Sequence, residues 1–179
     1  MGGVDSLTVS GTDERGTVPV EALALREVCG RYPTGVAVIT CEGVGGEGPV
    51  GVTVNSFTSL SLDPALVLFC VHRDSRALAA VEAAGAFAVN ILASDQAGLC
   101  QAFARRGTAD FADLPHGPGA TGSPVLGDAL AFLDCRLHTM FPGGDHVIVV
   151  GEVVDLGLLR EEQPLTFFRS AHPRLEVLG

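Results

Sequence analysis

Two long β-prone runs, residues 130–141 and 146–156, face each other across Pro142-Gly143-Gly144-Asp145, and this pairing restricts the fold more than any other feature. Proline and two glycines make a tight reversal, so the flanking runs are joined as an antiparallel hairpin. Four shorter runs precede it, over residues 34–41, 50–54, 65–71 and 87–92. The first two are separated by the glycine-rich stretch 42–49, which turns the chain back. The third is apolar enough to be buried on both faces, and the fourth carries one interior asparagine, Asn90.

Only short helical patterns interrupt these runs. Residues 20–31 have apolar positions at helical spacing and stop at Gly30 with Pro33 beyond. A second helix, 76–84, follows Asp74 or Ser75 as its N-cap. A third, capped by Ser94 or Asp95, runs to Arg105 with Leu99, Phe103 and Ala102 inward. Residues 108–123, rich in Gly, Pro, Asp and His, predict a long irregular excursion, and the tail 165–179 a short strand or extended arm. No Gly-x-Gly-x-x-Gly follows the first strand and there is no P-loop. Six strands in hairpin order therefore predict an antiparallel barrel with peripheral helices rather than a parallel sheet.

The 179 residues suit one domain, expected over 20–179 behind a polar, mobile lead-in at 1–19. That lead-in lacks the basic-then-apolar order of a secretory signal, and no apolar run reaches the ~18 residues of a membrane span. With 11 basic and 21 acidic residues the net charge is −10, which argues against nucleic acid or an anionic membrane as partner. All the basic residues are arginines, so no lysine can serve as base or Schiff-base former. Five scattered cysteines, with no Cys-x-x-Cys, predict buried thiols in a reducing cytoplasm and no metal site.

Four polar patches are candidates for chemistry. Thr53, Asn55, Ser56, Thr58 and Ser59 follow a strand end, where free N–H groups can meet a flat heterocycle or an anion, or where hydroxyls simply cap their own turn. Asp74-Ser75-Arg76 opens a helix, a place that suits phosphate and equally suits plain capping. Phe103-Ala104-Arg105-Arg106 closes a helix, as solvated cations commonly do. Gly144-Asp145-His146 places a histidine at a strand start after a glycine turn, either reaching a cleft or lying on a surface turn. No Ser/His/Asp motif or Cys/His cluster with metal spacing accompanies them.

Several segments in order resemble the short-chain flavin reductase family. They are Tyr32-Pro33-Thr34-Gly35-Val36-Ala37-Val38-Ile39-Thr40, Asn55-Ser56-Phe57-Thr58-Ser59-Leu60-Ser61-Leu62-Asp63-Pro64, Phe87-Ala88-Val89-Asn90-Ile91-Leu92, Phe103-Ala104, and Gly144-Asp145-His146 with Gly151-Glu152-Val153. The resemblance spans residues 25–169 and implies a six-stranded antiparallel Greek-key split β-barrel with peripheral helices. It implies a homodimer that passes hydride from NADH or NADPH to FAD or FMN, the reduced flavin then leaving for a flavin-dependent monooxygenase. On this resemblance Thr53, Val54, Asn55 and Ser56 edge the flavin ring, with Ser59 and Ser61 on the same turn and Pro33 and Thr34 near the ring. Asp74, Ser75 and Arg76 receive ribityl or phosphate oxygens. Phe103 with Arg105 or Arg106 contacts phosphate or adenine, and His146 stands beside the nicotinamide. Val54, Phe141 and His172 depart from the family pattern. Hydride transfer between two stacked rings needs no protein nucleophile, in keeping with the missing triad. The alternatives are a non-enzymatic flavin- or haem-binding split barrel and an oxidase of a pyridoxine-type phosphate. Sparse basic residues disfavour the latter, and His146 with the Asn-Ser-Phe-Thr-Ser run favours the reductase.

Overall fold

The computed structural model of the chain describes residues 19–104 and 111–176. The lead-in expected at 1–19 lies outside the described residues except for Pro19, and so do Arg105 and Arg106. The elements run α1 (Ala22–Cys29), β1 (Thr34–Gly35), β2 (Ala37–Cys41), β3 (Val50–Val54), β4 (Thr58–Leu62), β5 (Ala65–His72), α2 (Arg76–Ala84), β6 (Ala86–Ile91), α3 (Ala97–Ala104), β7 (His116–Pro118), β8 (Pro124–Leu126), β9 (Ala131–Gly143), β10 (His146–Leu158) and β11 (Thr166–Phe167). Seven of them form one sheet in the order β3-β2-β6-β9-β10-β5-β4, and β1-β11 and β7-β8 make two small pairs. Every pairing is antiparallel.

The centre of the sheet follows from β-branched and aromatic side chains that alternate between two faces. Ala37, Ile39 and Cys41 of β2 join one core with Val54, Phe69, Phe87, Val89, Cys135 and Val149. That single cluster draws on β2, β3, β5, β6, β9, β10 and α2, so the sheet curls around it. Val36 and Val38 point the other way, into a second core with Leu92, Cys100, Phe103 and Phe111 under α3. Asn90, fully buried in β6, ties the two faces together. Its Nδ2 donates to Val38 O at 3.1 Å and Thr40 Oγ1 at 2.9 Å, and its Oδ1 accepts from Leu126 N at 2.8 Å. The Asn90 amide is thus a structural joint.

The long hairpin forms as expected, with Gly144 at φ 73 in its turn and register shifts beside Gly151 and Val153. At Gly151 an added Cβ would meet Phe87 Cζ at 2.3 Å, so the bare backbone makes room for that ring.

Three expectations are corrected. The serine-rich stretch read as a turn contains an edge strand, β4, which turns at Asp63-Pro64, a cis peptide, into β5. The irregular excursion contains the β7-β8 hairpin. Polar edge strands and proline-bounded strands lack the apolar alternation that marks a strand in sequence. On α3, Cys100 and Phe103 are buried while Ala102 is exposed. The first helix is α1 as predicted, yet no residue of it is buried, and Leu23 and Val28 stand 78% and 70% exposed. No helix among the described residues is long and apolar enough to cross a membrane.

Candidate functional site

A groove of about 1020 Å³ opens between the end of α1, the β1-β11 pair and the turn from β3 to β4. Its size stands at the upper end of the ~300–1,000 Å³ common for small-molecule sites. Pro33, Phe57 and Phe167 give it apolar faces, while Thr34, Asn55, Ser56 and Thr58 give polar edges; Arg26, Tyr32 and Ser170 also line it. The walls come from distant parts of the chain. Thr34 pairs with Phe167 across β1-β11, and Arg169 N donates to Gly30 O at 3.1 Å.

The predicted ring-edge residues divide. Asn55 and Ser56 line the groove. Ser56 also closes a seam, since its Oγ donates to Cys70 O at 3.0 Å and accepts from Cys70 N at 2.9 Å. Thr53 and Val54 stand behind the wall. Thr53 Oγ1 donates to Cys100 O at 2.7 Å and holds α3 against β3, while Val54 is buried opposite Ala37. Ser59 is exposed on β4 and does not line the groove.

Residues Asp74, Ser75 and Arg76 open α2 away from the groove lining. Ser75 Oγ accepts from Ala77 N at 3.3 Å, a side-chain cap, and Arg76 pairs with Glu47 at 3.3 Å. Phe103 is buried, its ring pressed on Gly51 and edge-on to Phe111 at 5.3 Å, so it has no open face for a ligand.

His146 begins β10 directly opposite His72, the last residue of β5, with ring centroids 5.5 Å apart and nearly perpendicular. His146 Nδ1 lies 2.8 Å from Asp145 Oδ1, and this hydrogen bond and the imidazole charge hold the Asp145 carboxyl below its usual range. Arg73 N donates to Asp145 O at 3.1 Å and Asp74 N to His72 Nδ1 at 3.2 Å, so both loops are pinned. Cys70, the partner of Ser56, lies two residues before His72 on the same strand, a step of about 7 Å along one face. The ring-edge turn and the histidine pair are therefore neighbours along β5.

Chemically the groove offers flat apolar walls and edge hydrogen-bonding groups, while Thr34 Oγ1 is buried behind the lining with no partner. A planar heteroaromatic ring with polar edges fits that set, because it meets both the apolar walls and the edge groups. Cys41 and Cys135 are pushed up to about 12, chiefly by burial, which removes them as nucleophiles. Among the described residues no three His, Cys, Asp or Glu converge as metal ligands. Sequence reasoning missed Phe167 and Ser170, which only the long-range β1-β11 pairing brings towards Pro33, and Arg26, which no motif marked.

Residues 29–176 match the family model described as flavin reductase like domain. The chain belongs to this family. One relative, the reductase subunit HsaB of a flavin-dependent monooxygenase in Rhodococcus jostii, is 42% identical over 166 residues, 90% of this chain and 83% of that protein. The NADH-dependent FMN reductase AsuE2 of Streptomyces nodosus is 38% identical over 174 residues, 91% of this chain and 89% of its own length. In three dimensions the flavin reductase-like chain superposes on the NADH:FAD oxidoreductase SgcE6 of Streptomyces globisporus, solved with NAD and FAD fragments. There the TM-score is 0.81 at 33% identity, over 93% of this chain and 97% of that one. The mainly antiparallel architecture predicted above is that of its neighbours.

Proposed function

We propose that this flavin reductase-like chain transfers hydride from NADH or NADPH to FAD or FMN and hands the reduced flavin to a flavin-dependent monooxygenase. The observation that carries this reading is the groove itself: Pro33 and Thr34 at the start of the first strand pair, and Asn55 and Ser56 in the turn after β3, line one apolar-walled cleft, and the His72–His146 pair closes the strand β5 to which Ser56 is bonded. When bound, the flavin supplies the hydride-accepting ring. Pro33, Phe57 and Phe167 would bind its faces and exclude water, and Asn55 would meet its polar edge. Thr53 and Ser56 hold that wall in place through Cys100 and Cys70. His146, fixed by Asp145, borders the nicotinamide and orients it for transfer.

A second copy of the chain covers the apolar side of α1 and the exposed β4 leucines, of which Leu62 is 94% exposed, giving a homodimer. Residues 20–179 act as one domain in the cytoplasm, and neither nucleic acid nor membrane is a partner.

Purified protein is expected to oxidise NADH or NADPH only when FAD or FMN is added, with anaerobic assays of both flavins and both donors in parallel. Absence of acceleration by either flavin sinks the reading. His146→Ala is expected to raise the nicotinamide KM or lower kcat by about tenfold with flavin binding nearly unchanged. An equal loss of flavin affinity removes His146 from the donor side.

A further inference from the structure

The loop that carries His146 holds its ring at one point. Nδ1 lies 2.8 Å from Asp145 Oδ1, and that carboxylate belongs to the preceding residue, whose side chain is 79% exposed. A single bond to an exposed neighbour fixes one atom of an imidazole and leaves the ring free to turn about it. Exposed pairs of this kind also hold geometry weakly. The plane of the ring has to be set from elsewhere. Among the described residues the aromatic contact on His146 is His72, with centroids 5.5 Å apart and planes 74° from parallel. Both values lie in the range of edge-to-face ring pairs.

His72 is anchored more firmly than the residue it faces. Its Nδ1 accepts from Asp74 N at 3.2 Å and its carbonyl from Ser75 N at 2.9 Å, so ring and backbone both belong to the turn leading into α2. Ser75 in turn caps that helix through Ala77 N. The two histidines are register partners, the last residue of β5 and the first of β10. Next to each of them the bond from Arg73 N to Asp145 O ties the two loops together. Holding the turn calls only for an acceptor on a short side chain, which asparagine or aspartate supplies. It does not call for a ring set across His146.

We propose that His72 is a positioning residue for His146, fixing the plane of its imidazole and so the direction in which Nε2 meets the hydride donor, an inference that rests on the flavin reductase reading above. With Nδ1 engaged by Asp145, Nε2 is the ring nitrogen left to face a ligand. Transfer between two rings depends on their alignment, so a ring that swings costs rate even though no contact to the flavin is lost. His72 acts through His146 and not on the donor itself.

Two substitutions separate the ring from the acceptor. His72→Asn keeps an oxygen where Nδ1 accepts from Asp74 N and removes the ring, whereas His72→Phe keeps a ring and removes the acceptor. In steady-state assays His72→Asn is expected to raise the nicotinamide KM or lower kcat about fivefold, with flavin KM and melting temperature level. His72→Phe restores most of that loss and melts lower. In the His146→Ala background His72→Asn adds nothing, because the residue it acts through is gone. Donor kinetics impaired by Phe as much as by Asn, or losses that simply add in the double variant, overturn the assignment. NMR order parameters of the His146 ring give a readout independent of turnover. The ring is rigid in the wild type and in His72→Phe and mobile in His72→Asn; equal rigidity in all three overturns the assignment. A wild type that reduces no flavin but shows this loss of order defeats the reductase reading and leaves the positioning contact standing.

Discussion

The interior of the curled sheet and the groove at its flank treat polar atoms in opposite ways. Inside, Asn90 meets Val38, Thr40 and Leu126, and Thr40 Oγ1 in turn donates to Pro124 O, so the buried amide and hydroxyl are matched by protein. At the groove Thr34 Oγ1 is buried without a partner, Arg26 has no described counter-ion, and Tyr32 is 76% exposed. The same contrast holds for apolar groups: Phe87 and Val89 are fully buried, whereas no residue of α1 is. Stability is concentrated where the chain satisfies itself, and binding where it does not.

The largest effect that bears on this contrast comes from the core. Asn90→Ala strands Leu126 N and frees Val38 O and Thr40 Oγ1, and is expected to lower unfolding free energy by about 3 kcal/mol in urea titration. A loss well below about 1 kcal/mol would show the network to be ornamental.

The cysteines divide along the same line. Cys29 is exposed and lines the groove, while Cys41 and Cys135 are buried with pKa values of about 12. A disulfide reagent at neutral pH is expected to modify Cys29 rapidly and the two core thiols only on unfolding. Their raised pKa also sets a sign. Each contributes stability that is intact below the pKa of an unfolded thiol, ~8.5. As pH rises the unfolded chain gives up protons that the folded chain keeps, so stability falls between there and about 12. Chemical denaturation at pH 7 and pH 10 measures the drop, and Cys41→Ala or Cys135→Ala reduces it.

The smallest effect has the opposite sign. Thr34→Val removes the orphaned hydroxyl at nearly constant shape, so stability is expected to stay level or rise by less than about 1 kcal/mol. Flavin KM is expected to stay level, since the buried hydroxyl has almost no surface to offer a ligand. Parallel melting curves and flavin titrations check both, and a clear loss of stability would place Thr34 with the core.

What the sequence made legible follows from range. The β2-β3 and β9-β10 hairpins and the Ser75 cap depend on residues a few positions apart, and each was readable. The core of β2 and β6 was readable because Val, Ile and Phe alternate there without interruption. Strand β4 was not, because Thr58, Ser59 and Ser61 serve an exposed edge as readily as a turn. The groove was half visible. Asn55-Ser56 stood out as a polar run after a strand end and Pro33-Thr34 came from family resemblance, whereas Arg26 and Ser170 share the groove through the Arg169–Gly30 bond, which no local pattern encodes. Thr53 bonds Cys100 O and Phe103 packs on Phe111, long-range contacts of α3 that their polar and helix-end patches in the sequence did not disclose.

The reciprocal bond between Ser56 and Cys70 has a consequence for chain length. With one donor and one acceptor on a single hydroxyl, Ser56 stands in for a peptide unit and supplies a rung across the seam between the turn and β5. A rung made by one side chain tolerates no slippage: one residue inserted or deleted between Val54 and Phe57 removes it and shifts Asn55 off the groove. The loop at 42–49 is under no such restriction, and each doubling of its length would cost only ~0.6 kcal/mol in closure entropy. Insertions are thus admissible between β2 and β3 and inadmissible in the turn that follows β3.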